Sequence, residues 1–229
     1  MYFSLITPVE GREREAVQQR LHGAYADHQW LWRLFAAPAG TARDFLFRRH
    51  DVNGLPRFYA VSQRKPESSH ASWQVQTREY APDIAAGTSL CFELRANPTV
   101  RHDRDGKSKR HDVVMEAKKQ LLTARGLSRW ADWKDDTRPD LYSVVQQSCS
   151  AWLVRRGEAM GFSVDIGSLV AEAYEQHDDR TDRKLQFTTV DFGGQLTVTD
   201  PLAFATALVG GIGHAKAFGC GLLLVRPVG

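Results

Sequence analysis

At 229 residues, with 42% hydrophobic and 25% charged positions, the chain is long enough for two domains of roughly 110 residues and too apolar to be a disordered polymer. A net charge of +3 and a pI near 8.8 are too mild to announce nucleic-acid binding, so the placement of charge matters more than its sum. Three scattered cysteines, Cys91, Cys149 and Cys220, argue against a disulfide framework or a zinc site, and the absence of a secretory signal or apolar span leads us to expect a cytoplasmic protein with no membrane contact.

Tyr2 to Pro8 reads as a first strand, and Arg12 to Leu21 as a helix. A second helical pattern runs from Asp27 to Phe35, with Asp27 as its N-cap and Trp30, Leu31, Leu34 and Phe35 forming one apolar face. Pro38 and Gly40 stop it. Arg43 to Val52 and Arg57 to Gln63 are strand-like, and Asn53-Gly54 between them is a hairpin signal because both residues tolerate positive φ. Lys65 to Ala71 is a polar loop or short helix, followed by a strand from Trp73 to Glu79. This order matches the split βαβ pattern of a ferredoxin-like domain.

A second unit begins near Leu90, after a boundary between about residues 80 and 90. Leu90 to Leu94 is strand-like, Val113 to Arg125 and Leu141 to Met160 are helical, and Phe162 to Tyr174 and Lys184 to Asp191 alternate like strands. Gln195 to Thr199 is a short strand. Pro201 opens a helix over Leu202 to Val209, where its missing N–H is harmless, and Leu222 to Val225 is a last buried strand. The expected organisation is residues 1–85 and 90–229, an α+β chain.

Three segments carry chemistry. In Tyr25-Ala26-Asp27-His28, a histidine suited to proton transfer near neutral pH follows a phenol by three residues; His22 is chemically as good a candidate. Gly210-Gly-Ile-Gly213-His-Ala-Lys216-Ala-Phe-Gly219-Cys-Gly221 combines five glycines with a cation, in neither a phosphate-loop nor a dinucleotide arrangement. Arg101 to Arg110 holds five Lys or Arg against two Asp, and Arg180, Arg183 and Lys184 stand before a later strand. Two basic hairpins and a glycine-rich loop favour RNA or DNA binding. No HExxH, paired-Asp or Cys/His ligand spacing is present, so neither a metal nor another cofactor is expected.

Read together, the segments resemble the CasE family, the repeat-processing endoribonucleases of type I-E CRISPR Cascade complexes. The resemblance rests on Met1-Tyr2-Phe3-Ser4, on Tyr25-Ala26-Asp27-His28 followed by Leu31-Trp32-Arg33-Leu34-Phe35, and on Arg43-Asp44-Phe45-Leu46-Phe47. It continues through Leu94-Arg95-Ala96-Asn97-Pro98 and Gly211 to Leu223. It implies two tandem ferredoxin-like (RRM-like) domains of the RAMP class. It also implies His28 and Tyr25 as catalytic residues, and Lys184 as a third, with Arg183 or Arg180 as alternatives. Arg33, Arg101, Arg104, Lys107, Lys109, Arg110, Arg180, Arg183, Gly211, Gly213, Lys216 and Gly219 are the expected RNA contacts. The implied reaction is metal-free attack by a 2′-hydroxyl at the base of the CRISPR repeat stem-loop, leaving a 2′,3′-cyclic phosphate. His28 is left open as acid or base. The expected partners are repeat RNA and the other Cascade subunits, with no direct DNA contact; the alternative is a non-catalytic RNA-hairpin-binding subunit on the same scaffold.

Overall fold

A computed structural model describes residues 1–19, 23–35, 37–38, 40–104, 107–178 and 186–229, with the backbone alone described at 23–25, 103–104, 107–108 and 178. Residues 1–84 with 205–223 form one unit, and residues 85–204 with 224–229 form another.

The first unit runs β1 (Tyr2–Pro8), α1 (Glu13–Gln19), α2 (Gly23–Leu31), a 3-10 turn (Trp32–Leu34), β2 (Phe45–Val52), β3 (Leu55–Ser62), β4 (Ser69–His70) and β5 (Trp73–Glu79). Its sheet order is β2-β3-β1-β5-β4, with β1 antiparallel to both β3 and β5. The β2-β3-β1-β5 core has the strand order of a ferredoxin-like unit. The Asn53-Gly54 turn has φ of 52° and 75°, the two positive values a tight hairpin needs. Lys65 to Ala71 forms no helix: its backbone is drawn off by Glu67 N–H to Leu34 C=O and Val75 N–H to Ser68 C=O, each 2.9 Å.

The expected apolar face is buried as a block. Trp30, Leu31, Leu34 and Phe35 pack with Phe45, Phe47, Phe58 and Trp73. Ring pairs such as Trp30–Trp73 at 4.6 Å and Phe35–Phe45 at 4.5 Å add roughly 0.5–1.5 kcal/mol each beyond area burial. The helix begins earlier than its apolar pattern does, at Gly23, so Asp27 is a mid-helix residue and not the N-cap.

The second unit runs β6 (Ser89–Ala96), β7 (Thr99–Arg104), β8 (Lys107–Asp112), α3 (Val113–Ala124), α4 (Leu141–Ala159), β9 (Phe162–Val164), β10 (Val170–Asp178) and β11 (Gln186–Val198). Then come α5 (Pro201–Gly210) and β12 (Leu223–Pro227). Its sheet order β10-β11-β6-β12 repeats that of the first unit. Asp112 and Asp140 cap α3 and α4, accepting from the Met115 and Ser143 N–H groups at 2.8 Å.

Two strand expectations change. Phe162 to Tyr174 divides into β9 and β10, where the Asp165 side chain accepts from Gly167 N–H at 3.2 Å and turns the chain. The two segments flanking Gly193-Gly194 instead merge into β11, because the ladder to β6 continues through Gly193↔Glu93 and Gly194↔Phe92. Cys149 and Cys220 are buried and Cys91 is half-buried, all as free thiols. Burial, then the Asp112 charge, pushes the Cys149 thiol up to about 12. No described helix is long and apolar enough to cross a membrane.

Candidate active site

The apolar side of α2 and its 3-10 extension is committed to the core, which leaves His28 at the half-buried edge of that face. Its ring lies 6.2 Å from Phe45 and edge-on to Trp32 at 6.3 Å. The Trp32 Nε1–H donates to His28 Nε2 at 3.2 Å. An indole nitrogen can only donate, so Nε2 here holds a lone pair and the neutral ring carries its proton on Nδ1. Burial, and secondarily the positive charge of Arg43, holds the His28 pKa below the usual value.

Asp27, next in sequence, is buried at 2% exposure and accepts from Arg49 Nη1 at 3.3 Å. Arg49 also clasps Asp51 through Nε and Nη2 at 2.7 and 3.0 Å. The carboxylate beside His28 is thereby neutralised from β2, and the same contact ties α2 to the sheet. Tyr25 stands three positions earlier in α2, one helical turn away, and Arg33 is exposed in the 3-10 turn. His22 lies outside the described residues.

The neutral ring has a measurable consequence. In an NMR titration of His28, desolvation and repulsion both disfavour the imidazolium, so its midpoint should fall below about 6.5. Trp32→Phe removes a hydrogen bond that favours the neutral form and should move the midpoint upward. A midpoint at or above the free-histidine value would contradict this geometry.

The glycine-rich segment behaves differently from its sequence reading, which grouped it with residues 90–229. Residues 205–223 cluster with the first unit. Gly211, at φ +74°, is buried so closely that a Cβ would lie 2.7 Å from Leu46 Cδ1, and a Cβ on Gly219, at φ +80°, would lie 3.2 Å from the Phe47 ring. Close packing on β2 is therefore a structural reason for glycine at these two positions. Gly213 is half-buried, and Lys216 Nζ donates to the Gly210 carbonyl at 2.6 Å. The 3-10 turn Lys216–Phe218 packs on α2 and β2, bringing Lys216 to the His28 region. Burial, then Arg43, lowers the Lys216 pKa.

In the second unit the basic run forms the β7–β8 hairpin, with register Arg101↔Arg110, His102↔Lys109 and Arg104↔Lys107. Like charges set directly opposite each other destabilise a ladder. Lys109 and Arg110 are exposed, and His102 Nε2 approaches Glu116 Oε2 at 3.5 Å. Arg180, Arg183 and Lys184 lie outside the described residues.

A profile of the family described as CRISPR associated protein matches residues 1–227. The chain belongs to that family. This CRISPR-associated chain is 29% identical over 206 residues to the Cascade subunit CasE of Escherichia coli K12, covering 89% of this chain and 92% of that protein. It is 25% identical over 233 residues to the CRISPR-associated endoribonuclease Cse3 of Thermus thermophilus, covering 93% and 94%. A solved structure of Cse3 bound to a 19-nt RNA has a TM-score of 0.70 over 99% of this chain and 98% of that one, at 23% identity. The CasE-type assignment and the paired ferredoxin-like α+β fold read from the sequence both stand.

Two residues of this CRISPR-associated chain escaped attention as site residues. Trp32, which sets the His28 tautomer, and Arg43, which acts on both His28 and Lys216, each lay inside a motif quoted for the resemblance. The available signal was a polar handle beside an aromatic run, and core packing explained the run too easily.

Proposed function

We propose that this chain is a metal-independent endoribonuclease that cuts precursor CRISPR RNA at the 3′ base of each repeat stem-loop. On this reading it keeps its guide RNA and works in the cytoplasm as a Cascade subunit, without cofactor, membrane or direct DNA contact. The observation carrying this reading is a half-buried histidine whose Nε2 presents a lone pair, here accepting from Trp32, and whose pKa is lowered by burial and by the nearby Arg43. The names of its relatives, a Cascade subunit and an endoribonuclease, support the substrate class.

RNA supplies its own nucleophile. The 2′-hydroxyl attacks the adjacent phosphorus in line, an O2′–P bond forms and the P–O5′ bond breaks. His28, neutral near pH 7, acts as the base: Nε2 exchanges its Trp32 partner for the 2′-hydroxyl and takes that proton. The departing 5′-oxygen takes up a proton from water. Tyr25 orients the attacking hydroxyl, and Lys184, with Arg183 or Arg180 as alternatives, stabilises the charge growing on the phosphate. Arg33 and the glycine-rich segment, through Gly211, Gly213, Lys216 and Gly219, line the approach of the strand. The β7–β8 hairpin, through Arg101, Arg104, Lys107, Lys109 and Arg110, grips phosphates of the A-form stem, whose deep major groove hides its bases from side chains.

The products test this assignment. Repeat RNA incubated with the protein in EDTA should give one fragment ending in a 2′,3′-cyclic phosphate and another beginning with a 5′-hydroxyl. A 5′-phosphate on the downstream fragment would show attack by water and overturn the mechanism.

A further inference from the structure

We propose that Arg43 is a further catalytic residue, gripping the non-bridging oxygens of the scissile phosphate beside His28. The inference rests on the endoribonuclease reading above and adds a cation supplied by the first unit. Arg43 stands two residues before Phe45, whose ring packs 6.2 Å from His28 and 5.3 Å from Trp32. Its Nη1 is buried and has no hydrogen-bond partner among the described residues. A buried guanidinium nitrogen with an unanswered N–H is unfavourable, and on a half-buried side chain such as Arg43 an arriving acceptor could answer it.

Among the described residues, the neighbouring carboxylates are taken by other partners. Asp44, next in sequence, is held by Arg64 through Nε and Nη2, both at 2.7 Å. Asp27, beside His28, is held by Arg49. Lys216, the other cation of this pocket, directs its ammonium to the Gly210 carbonyl. The charge of Arg43 reaches both His28 and Lys216, disfavouring the protonated form of each. Three basic groups thus share one pocket of the first unit while the adjacent carboxylates are spoken for, which is an arrangement that an anion would relieve. A guanidinium fork matches two phosphate oxygens as an ammonium cannot.

The test uses the full-length protein and its repeat RNA in EDTA under single-turnover conditions, with the scissile phosphate carrying oxygen or, in separate Rp and Sp forms, one sulfur. Arg43→Gln should lower the cleavage rate by about 10²–10³-fold, the usual cost of losing one donor to a developing oxyanion, with little change in hairpin Kd. One sulfur isomer should slow the wild type, and that thio effect should shrink in Arg43→Gln because the contact is already gone. Arg43→Lys, which keeps the charge and the aliphatic stem, should recover part of the rate with a reduced thio effect, and it carries the test if Arg43→Gln does not fold. A variant that cuts at the wild-type rate, or loses rate while keeping the whole thio effect, overturns the role of Arg43 alone. A wild type that cuts nothing overturns the endoribonuclease reading, and the role of Arg43 with it.

Discussion

His28→Ala should cut repeat RNA roughly 10²–10⁴-fold more slowly than the wild type, the range set by loss of a positioned acid or base. It should bind the uncut hairpin as tightly as before. The pocket explains why these two effects separate. His28 sits at the half-buried edge of α2, outside the packed set of Trp30, Leu31, Leu34, Phe35 and Phe45. Its removal leaves the Asp27–Arg49 tie and the aromatic core in place, so the helix should keep its position. Trp32 loses an acceptor but remains half-exposed, where water can replace the bond. The rate should also fall on the acid side, as His28 becomes protonated and its lone pair disappears. Because its pKa lies below the usual histidine value in the free protein, the midpoint of that fall should lie below the ordinary histidine pKa. Loss of binding in step with cleavage would make His28 an anchoring group, and unchanged cleavage would remove it from the reaction.

The second large effect is expected in the other unit. Replacing Arg101, Lys109 and Arg110 together by alanine should weaken hairpin binding and make its logarithmic salt dependence shallower by about 2–3, near one per lost phosphate contact. The cut position should not move, because phosphate contacts hold the duplex without reading sequence. The register makes the hairpin a sensible target: Arg101 faces Arg110 and His102 faces Lys109, so folding alone gains nothing from this charge arrangement. Removing the cations should leave the protein at least as stable in a thermal melt. A salt slope unchanged from the wild type would move the RNA grip elsewhere.

Much of the architecture was legible because it follows local periodicity. The apolar face of α2, the Asn53-Gly54 hairpin and the strand Trp73–Glu79 were each readable from spacing and turn chemistry. Elements decided by distant partners were less so. Gly193-Gly194 looks like a break, yet pairing with Glu93 and Phe92 carries β11 straight through it. Asp27 looks like a cap because Asp often is one; a buried salt link to Arg49, 22 residues away, uses it otherwise.

The site shows the same division. His28 could be nominated from residue type but not separated from His22 without the family resemblance. Gly211 and Gly219 were read as room for a ligand; that Leu46 and Phe47 also require glycine there depends on distant packing and was not legible. Arg43 was invisible as a site residue because nothing local distinguishes it. Its significance comes from a buried, unanswered Nη1 and from neighbours brought by α2 and the Lys216–Phe218 turn.

The most direct test of the central claim is a comparison of two RNAs with the wild-type protein in EDTA: the repeat hairpin, and the same hairpin with a 2′-deoxyribose at the nucleotide preceding the cut. We predict cleavage of the first and complete protection of the second, with both bound equally well. Cleavage of both, or cleavage only after Mg²⁺ is added, would contradict attack by the 2′-hydroxyl; tight binding with no cleavage of either would make the chain an RNA-holding subunit and not an enzyme.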